Sequence, residues 1–322
     1  MKRMVSIFII SAFFTTLFIS LFNYIVDPFQ HYRKATLYRI SYKHGIQRYL
    51  VPGLAKNYVY NSIIAGASMT ENFLISDIEK NLNYLNPIKL CLSGGYAYEF
   101  SKILEIAFNT HKIENVLFGL DIYGFSGEIN QTRTNLPLYM YDNNLFNDYK
   151  YLFSLETFFE SLKTLVRSAV KPKNDPLLNY DTMFQWQHMH KNEFKIEHVK
   201  QKWCNREKKF KLDKFTISNL KDSFNKNFLM YIKKYPNTEF IVFYPPYSIL
   251  EFISLQNKDY LQTFLDFKLY VAKQSEIYKN LKIYDFQIAK NIILNLSNYK
   301  DSIHYSQDIS FKIIQLIKKK NF

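Results

Sequence analysis

The sequence predicts an α/β fold, a three-layer α/β/α domain around a central parallel sheet, preceded by one transmembrane helix. Short runs that are apolar on both faces alternate along the chain with segments of helical periodicity, as in parallel sheets covered by helices. The segment Met4–Val26 has no charged residue, and about 20 such residues suffice to cross a bilayer as a helix. With 48% hydrophobic and 22% charged residues, the chain is too apolar to be intrinsically disordered.

The apolar N-terminal segment is interpreted as an uncleaved signal-anchor covering residues 1–27. Lys2 and Arg3 precede it and Asp27 follows it, so the positive-inside rule places the N-terminus in the cytoplasm and the rest of the chain outside. The alternative is a cleaved signal peptide, but Phe22–Val26 offers no small-residue cleavage site. Because no later apolar run has the length of a membrane span, we expect a single-pass protein.

The chain after the anchor divides into a tether at residues 28–57 and a folded domain at residues 58–322. The tether is polar and irregular, with some early structure leading into the domain, which begins where strand and helix patterns start to alternate. In its first half the sequence predicts, in order, a strand at Ser62–Ala65, a helix at Met69–Leu82, a strand at Ile88–Leu92, a helix from Ala97 to Phe108 and a strand at Val116–Ile122.

Residues 126–214 are less regular and more basic, and we interpret them as an insertion over the sheet, with one helix at Leu152–Ala169. The alternation then resumes. The second half is predicted to hold a helix at Phe224–Lys234, a strand at Glu239–Tyr244, a helix at Tyr260–Tyr278, a strand at Lys282–Phe286 and a final helix at 307–319.

Composition excludes several functional classes. The 42 basic and 28 acidic residues give a formal charge of +14, but the lysines are scattered without a nucleic-acid-binding motif, so a basic surface is the simpler reading and no nucleic acid is expected. Cys91 and Cys204 are too few for a disulfide framework. The chain has no nucleotide-binding glycine motif. His188 and His190 have ligand spacing but lack a Cys or acidic partner pattern, so neither a metal nor a cofactor is expected.

The first predicted strand ends in a serine, Ser68, at the point where the chain turns into a helix. Ligands of open parallel sheets lie beyond the carboxyl ends of the strands. Free N–H groups at the start of a helix could stabilise an oxyanion on a substrate attacked by this serine. The alternative is structural, because Ser68 and Glu71 have the spacing of a capping box.

A second pattern, Asp301-Ser302-Ile303-His304, lies near the C-terminus. A carboxylate three residues before an imidazole can orient that imidazole, whose other nitrogen can then activate a serine. The alternative is a loop aspartate and an incidental surface histidine beside a helix that Ser306 would cap. The joint placement of Ser68 and this pair at opposite ends of one α/β domain favours a catalytic triad.

Together these motifs resemble the SGNH, or GDSL-like, hydrolase superfamily, in particular its membrane-anchored cell-envelope branch related to polysaccharide O-acetyltransferases. The Gly-Ala-Ser run ending at Ser68 is similar to the first block, whose serine is the nucleophile. Asp301 and His304 match the last block, D-x-x-H. The resemblance implies an oxyanion hole formed by the backbone N–H groups of Ser68 and of Gly94 or Gly95, which follow the second strand.

The resemblance covers about residues 58–310 and has one departure. The third block of the family, G-x-N-D, should follow the third strand, where this chain has Gly-Leu-Asp ending at Asp121. The asparagine of that block is absent, and loss of one oxyanion donor costs roughly 10²- to 10³-fold in rate. Asp121 could orient the site or bind sugar hydroxyls, or it could simply cap a turn. Tyr123 and Tyr244 are further candidate substrate-binding residues, although Tyr244 could equally begin a plain turn.

The resemblance implies a periplasmic domain, anchored in a bacterial inner membrane, that transfers acetyl groups through an acyl-enzyme on Ser68. The acceptor would be a cell-envelope glycan such as peptidoglycan, lipopolysaccharide or an exopolysaccharide, and the acetyl donor a multi-pass membrane acyltransferase. Two alternatives stay open. An O-acetyl esterase would use the same triad with water as acceptor, and a catalytically inactive glycan-binding or scaffold protein would fit the missing asparagine and the basic surface.

Overall fold

The computed structural model describes residues 1–320 and contains one five-stranded sheet, in which every pair of neighbours is parallel. The strand order is β2-β1-β3-β4-β5. This confirms the α/β class with a parallel sheet. The strands are β1 Ser62–Gly66, β2 Pro87–Cys91, β3 Asn115–Gly119, β4 Glu239–Tyr244 and β5 Leu281–Asp285.

Strand β1, which lies between β2 and β3, is buried along its whole length, as expected for an apolar run in the interior of a parallel sheet. Its last residue, Gly66, pairs with Cys91 of β2 on one side and Gly119 of β3 on the other. The three strands therefore end in register at the same edge of the sheet. Any side chain directly after β1 lies between the segments that follow β2 and β3.

The helices of residues 1–320 include a π-helical turn at Asn225–Leu229 between α8 and α9. Their bounds are α1 Lys2–Val26, α2 Gln47–Asn57, α3 Ile75–Leu82, α4 Ala97–Thr110, α5 Tyr149–Leu152, α6 Leu155–Val170, α7 Ile196–Glu207, α8 Ile217–Phe224, α9 Met230–Lys234, α10 Ile249–Asn257, α11 Leu261–Ile277, α12 Lys290–Ile293 and α13 Gln307–Lys320.

Four of the five predicted strands are confirmed to within one residue at each end. The third is shorter than predicted, because the carboxylate of Asp121 accepts the Tyr123 N–H and starts a 3₁₀ turn at Ile122–Phe125. The helix predicted from Met69 begins only at Ile75, since a separate 3₁₀ turn follows β1. A side-chain cap thus ended the third strand, and a separate 3₁₀ turn delayed the first helix, where periodicity alone extended both.

One helix, α1, is long and apolar enough to cross a membrane. Its last turns are joined to the rest of the protein. Asn23 is fully buried, and its amide donates to the carbonyl oxygens of Leu152 and Ser154 at 2.8 and 3.0 Å. Asp27 ends the helix in the left-handed region at φ 48°, and its carboxylate accepts the backbone N–H of His31.

The segment expected to be a tether, 28–57, holds helix α2, which the sequence analysis missed. Leu50, Val51 and Leu54 of this helix are buried, and α2 packs against α4 and β2. At Gly53 the helix touches the preceding chain so closely that a Cβ atom would lie 2.3 Å from the carbonyl oxygen of Phe29. The second half of this segment is therefore packed onto the sheet domain.

The insertion at 126–214 contains α5, α6 and α7. Helix α6 was predicted to start at Leu152, but it begins at Leu155 because the Ser154 hydroxyl accepts the N–H of Thr157 at 3.1 Å and caps it. Helix α7 was not predicted, since its residues are mostly charged or polar and few of them are buried.

Candidate active site

The turn after β1 places Ser68 at the carboxyl edge of the sheet. Gly66 has φ 144°, and a Cβ atom there would lie 2.2 Å from the Thr70 hydroxyl. Only glycine leaves room for the chain to turn this sharply. The 3₁₀ turn Ser68–Thr70 follows at once, with Ser68 half-buried at its start.

The structure brings the three residues predicted as a triad into one hydrogen-bonded chain. Ser68 Oγ lies 2.7 Å from His304 Nε2, although the two residues are 236 positions apart in the sequence. His304 Nδ1 lies 2.9 and 2.8 Å from the two carboxylate oxygens of Asp301. The distances match those of a nucleophile, its base and the group that orients the base.

The Asp301 carboxylate is held in place by the backbone around it. Its Oδ1 atom accepts the N–H groups of Ile303 and His304 at 3.0 and 2.9 Å. Burial would raise the pKa of this carboxyl, but the adjacent His304 imidazole and the Lys300 ammonium hold its pKa below the usual range. Asp301 is therefore a carboxylate in the folded protein, suited to stabilise an imidazolium.

The loop that carries His304 is fixed to the turn that carries Ser68. Tyr299 and Tyr305 form an antiparallel bridge that closes the loop at its base. The buried Tyr305 hydroxyl then donates to the carbonyl oxygen of Met69 at 2.8 Å. These contacts keep the distance between nucleophile and base short without relying on their own hydrogen bond.

The capping-box alternative for Ser68 is wrong, because the Ser68 hydroxyl faces His304 and the 3₁₀ turn has no side-chain cap. The Glu71 carboxylate is fully buried elsewhere. It accepts the amide of Gln47 at 3.0 Å and lies 2.8 Å from His44 Nε2.

Trp186, in the insertion, is a site residue that the sequence analysis missed. Its indole N–H donates to the Ser68 carbonyl oxygen at 2.7 Å, and its ring stands edge-on to the His304 imidazole at 5.5 Å. The Lys300 ammonium lies 4.8 Å from the centre of the same ring. Trp186 is one of only two tryptophans in the chain, and this rarity was the available signal.

A fully buried lysine, Lys89 on β2, holds the backbone that follows the nucleophile turn. Its ammonium donates to the carbonyl oxygens of Glu71 and Phe73 at 3.0 and 2.7 Å. Burial lowers the pKa of Lys89 to about 8. Lys89 thus fixes the backbone of residues 71–73, directly after the turn that carries Ser68.

We expect this lysine to make stability depend on pH. Between pH 8 and about 10.4, the unfolded-state value, the unfolded chain binds more protons at Lys89 than the folded chain does, so its contribution to the free energy of unfolding rises with pH. Between pH 7.5 and 9.5, the free energy of unfolding of wild type should rise by about 1 to 2 kcal/mol relative to that of Lys89→Met. Urea unfolding of both proteins in detergent measures this difference.

Wild type must be compared with Lys89→Met because Cys91 changes the pH dependence of stability in the opposite direction. Burial raises the pKa of its thiol to about 12, so the unfolded chain loses this proton first and stability falls as pH rises. Cys91 is present in both proteins and cancels in the difference. A difference that stays constant with pH would show that Lys89 is not perturbed by burial.

The two glycines proposed for the oxyanion hole differ in what their N–H groups do. Gly95 is buried and its N–H donates to the Leu92 carbonyl oxygen at 2.9 Å. Gly94 is exposed with φ 56°. Within residues 1–320, no acceptor takes the N–H of Gly94 or of Ser68. Of the two candidate glycines, Gly94 is therefore the one whose N–H is not taken by the backbone.

Asp121 follows β3, on the other side of β1. Its Oδ1 atom accepts the Tyr247 hydroxyl at 2.6 Å and the Tyr123 N–H at 3.2 Å, and burial raises the pKa of its carboxyl. The Asp121 carboxylate thus caps a turn, which was the structural alternative given for it in the sequence analysis. The Tyr123 hydroxyl donates to Glu251, and Tyr244 lies in the core with 2% of its surface exposed.

A cleft of about 310 Å³ opens beside His304. Helix α7 of the insertion forms one wall, where the Arg206 guanidinium pairs through two nitrogens with the fully buried carboxylate of Glu251. The volume is at the lower end of those that bind small ligands. The cleft is lined by Lys202, Trp203, Arg206, Asp301, Ser302, Ile303 and His304.

The two histidines with ligand spacing, His188 and His190, do not share a partner. His190 Nδ1 lies 2.6 Å from Glu193, which also contacts His198 at 3.3 Å. Among residues 1–320, no three His, Cys, Asp or Glu side chains are grouped as they would be to hold a metal ion.

No protein-family model and no curated protein matches the chain. A serine hydroxyl on an imidazole that a carboxylate orients can form an acyl-enzyme.

Proposed function

We propose that the protein is a membrane-anchored serine acyltransferase or esterase that acts on the O-acetyl groups of a cell-envelope glycan. One observation carries the proposal, namely the continuous chain from Ser68 Oγ through His304 to Asp301, with contacts of 2.7 and 2.8 Å. An incidental serine and histidine would have no reason to meet in this order at the carboxyl edge of a parallel sheet.

In the proposed reaction, Ser68 Oγ attacks the ester carbonyl while His304 Nε2 accepts the hydroxyl proton. The N–H groups of Ser68 and Gly94 would bind the oxyanion of the tetrahedral intermediate. The intermediate collapses with loss of the alcohol, which takes the proton from His304, and leaves an acyl-serine. An acceptor hydroxyl then gives its proton to His304 and attacks the acyl-serine; the second intermediate collapses with loss of Ser68 Oγ, which takes that proton back from His304.

The fold expected of such an enzyme is the three-layer SGNH-like arrangement, with helices on both faces of the sheet. In support, α2 packs with α4, and α3 packs with α13. We propose that these two pairs cover opposite faces of the sheet near β1 and β2. The site would then lie at the open carboxyl edge between the layers.

Helix α1 would anchor the protein in the bacterial inner membrane, with Lys2 and Arg3 in the cytoplasm and the site in the periplasm. An envelope glycan would be the acceptor, and a multi-pass membrane acyltransferase would supply the exported acetyl group. The esterase alternative differs only in that water replaces the glycan. The inactive glycan-binding alternative is disfavoured by the connected triad.

The proposal is tested with the full-length protein in detergent, because Asn23 of α1 bonds to the rest of the fold. A chromogenic acetyl ester serves as donor, with and without a de-O-acetylated envelope glycan as acceptor. A transferase releases chromophore faster with glycan and acetylates it, whereas an esterase yields acetate at the same rate in both. Absence of release in both conditions, and of transfer from a co-purified membrane acyltransferase, would contradict the proposal.

A further inference from the structure

Helix α6 carries an apolar face that no part of the described chain covers. The residues of this face recur at spacings of three and four, which places them in one stripe along the helix. Each is between 39% and 77% exposed. An uncovered stripe of this length is unusual on a water-facing helix. The stripe consists of Leu155, Phe159, Leu162, Val166 and Val170.

A second face of α6 packs on α1 near the end of that helix. The ring of Phe158 lies 5.2 Å from that of Phe22. Asn23 contacts α6 at two points, since it donates to the Ser154 carbonyl oxygen and accepts the Ser161 hydroxyl at 3.4 Å. Contacts from one residue of α1 to positions seven residues apart on α6 favour a crossing of the two helices over a side-by-side arrangement.

The third face of α6 is polar. The Glu160 carboxylate pairs with the Arg167 guanidinium at 2.7 Å and lies 3.8 Å from the ammonium of the exposed Lys163. The helix therefore has a sharp boundary between its apolar stripe and a charged edge. Helices of this kind lie in the plane of a membrane interface, with the apolar face among the lipids.

We infer that α6 lies in the membrane interface, with its apolar stripe against the phospholipids of the leaflet from which α1 emerges. The occupant follows from continuity, because Phe158, next to Phe159 of the stripe, contacts the partly buried Phe22 and the exposed Phe18 of α1. The inference goes beyond the enzymatic proposal and rests on the anchoring of α1 in the bilayer. It makes α1 and α6 a two-point attachment that fixes the tilt of the sheet domain.

Fluorescent labels on the full-length protein in phosphatidylcholine vesicles test this inference. Single cysteines at Phe159→Cys and Val166→Cys are labelled in a Cys204→Ser background, since Cys91 is fully buried. We expect strong quenching by nitroxide-bearing lipids and a several-fold lower quenching constant for aqueous iodide than at Leu269→Cys. Leu269 is a matched control, being apolar and 57% exposed on α11.

A label at Phe13→Cys on α1 separates the possible failures. If lipid quenches this label but iodide reaches positions 159 and 166 as readily as 269, α6 faces water and the inference is wrong while the anchor stands. If lipid does not quench the label at position 13, the anchoring and the inference both fail. A third outcome is that neither quencher reaches positions 159 and 166 until the protein-to-lipid ratio is lowered. In that case a second copy of the chain covers α6, and the inference is again wrong.

Discussion

Ser68→Ala is expected to lower kcat on an acetyl ester by a factor on the order of 10⁶, the effect of removing a serine nucleophile. The hydroxyl that contacts His304 Nε2 at 2.7 Å is lost, so no acyl-enzyme can form. The fold should persist, because the backbone at position 68 keeps its bond from the Trp186 indole. Initial rates of chromophore release measure the effect.

Ser218→Ala is the matched control, since Ser218 is an exposed serine on α8 whose hydroxyl contacts Asp222 at 3.4 Å. It should turn over ester at the wild-type rate. If Ser68→Ala retained a rate comparable to this control, the hydrolysis would not pass through Ser68 and the triad would have to be abandoned.

Asp301→Asn is expected to lower kcat by about 10⁴-fold while leaving the fold unchanged. The asparagine oxygen can still accept the N–H groups of Ile303 and His304, as Oδ1 does now. Its amide group would, however, donate to His304 Nδ1, where the carboxylate now lies at 2.8 Å. The proton of the neutral imidazole would then sit on Nε2, which could no longer accept the Ser68 proton.

The control for this change is Asp308→Asn, which removes an exposed carboxylate from the first turn of α13. We expect the control to match wild type in kcat, and both variants to remain folded at the assay temperature in thermal unfolding. A loss of activity in Asp301→Asn that was explained by unfolding would contradict the assigned role, as would wild-type kcat.

The residues of the triad could be predicted from the sequence because each lies in a recognisable local pattern. Ser68 follows a short buried strand and a glycine, and Asp301 and His304 lie three residues apart on one loop. The order of elements was sufficient to place them at one edge of a parallel sheet. No long-range packing had to be known.

The support around the triad could not be predicted, because it depends on contacts between distant segments. Trp186 reaches Ser68 from an insertion without a regular pattern, and the buried Lys89 looks like an ordinary surface lysine in sequence. The choice between Gly94 and Gly95 is set by one backbone hydrogen bond, from the Gly95 N–H to Leu92. Hydropathy patterns carry no information on any of these contacts.

The central claim is that Ser68 becomes acylated, and intact-mass analysis of the full-length protein tests it most directly. After brief exposure to a chromogenic acetyl ester and acid quenching, wild type should gain the mass of one acetyl group, located by peptide mapping on the segment that contains Ser68. Ser68→Ala should gain none. An acetyl group on another residue, or an equal gain in Ser68→Ala, would contradict the account.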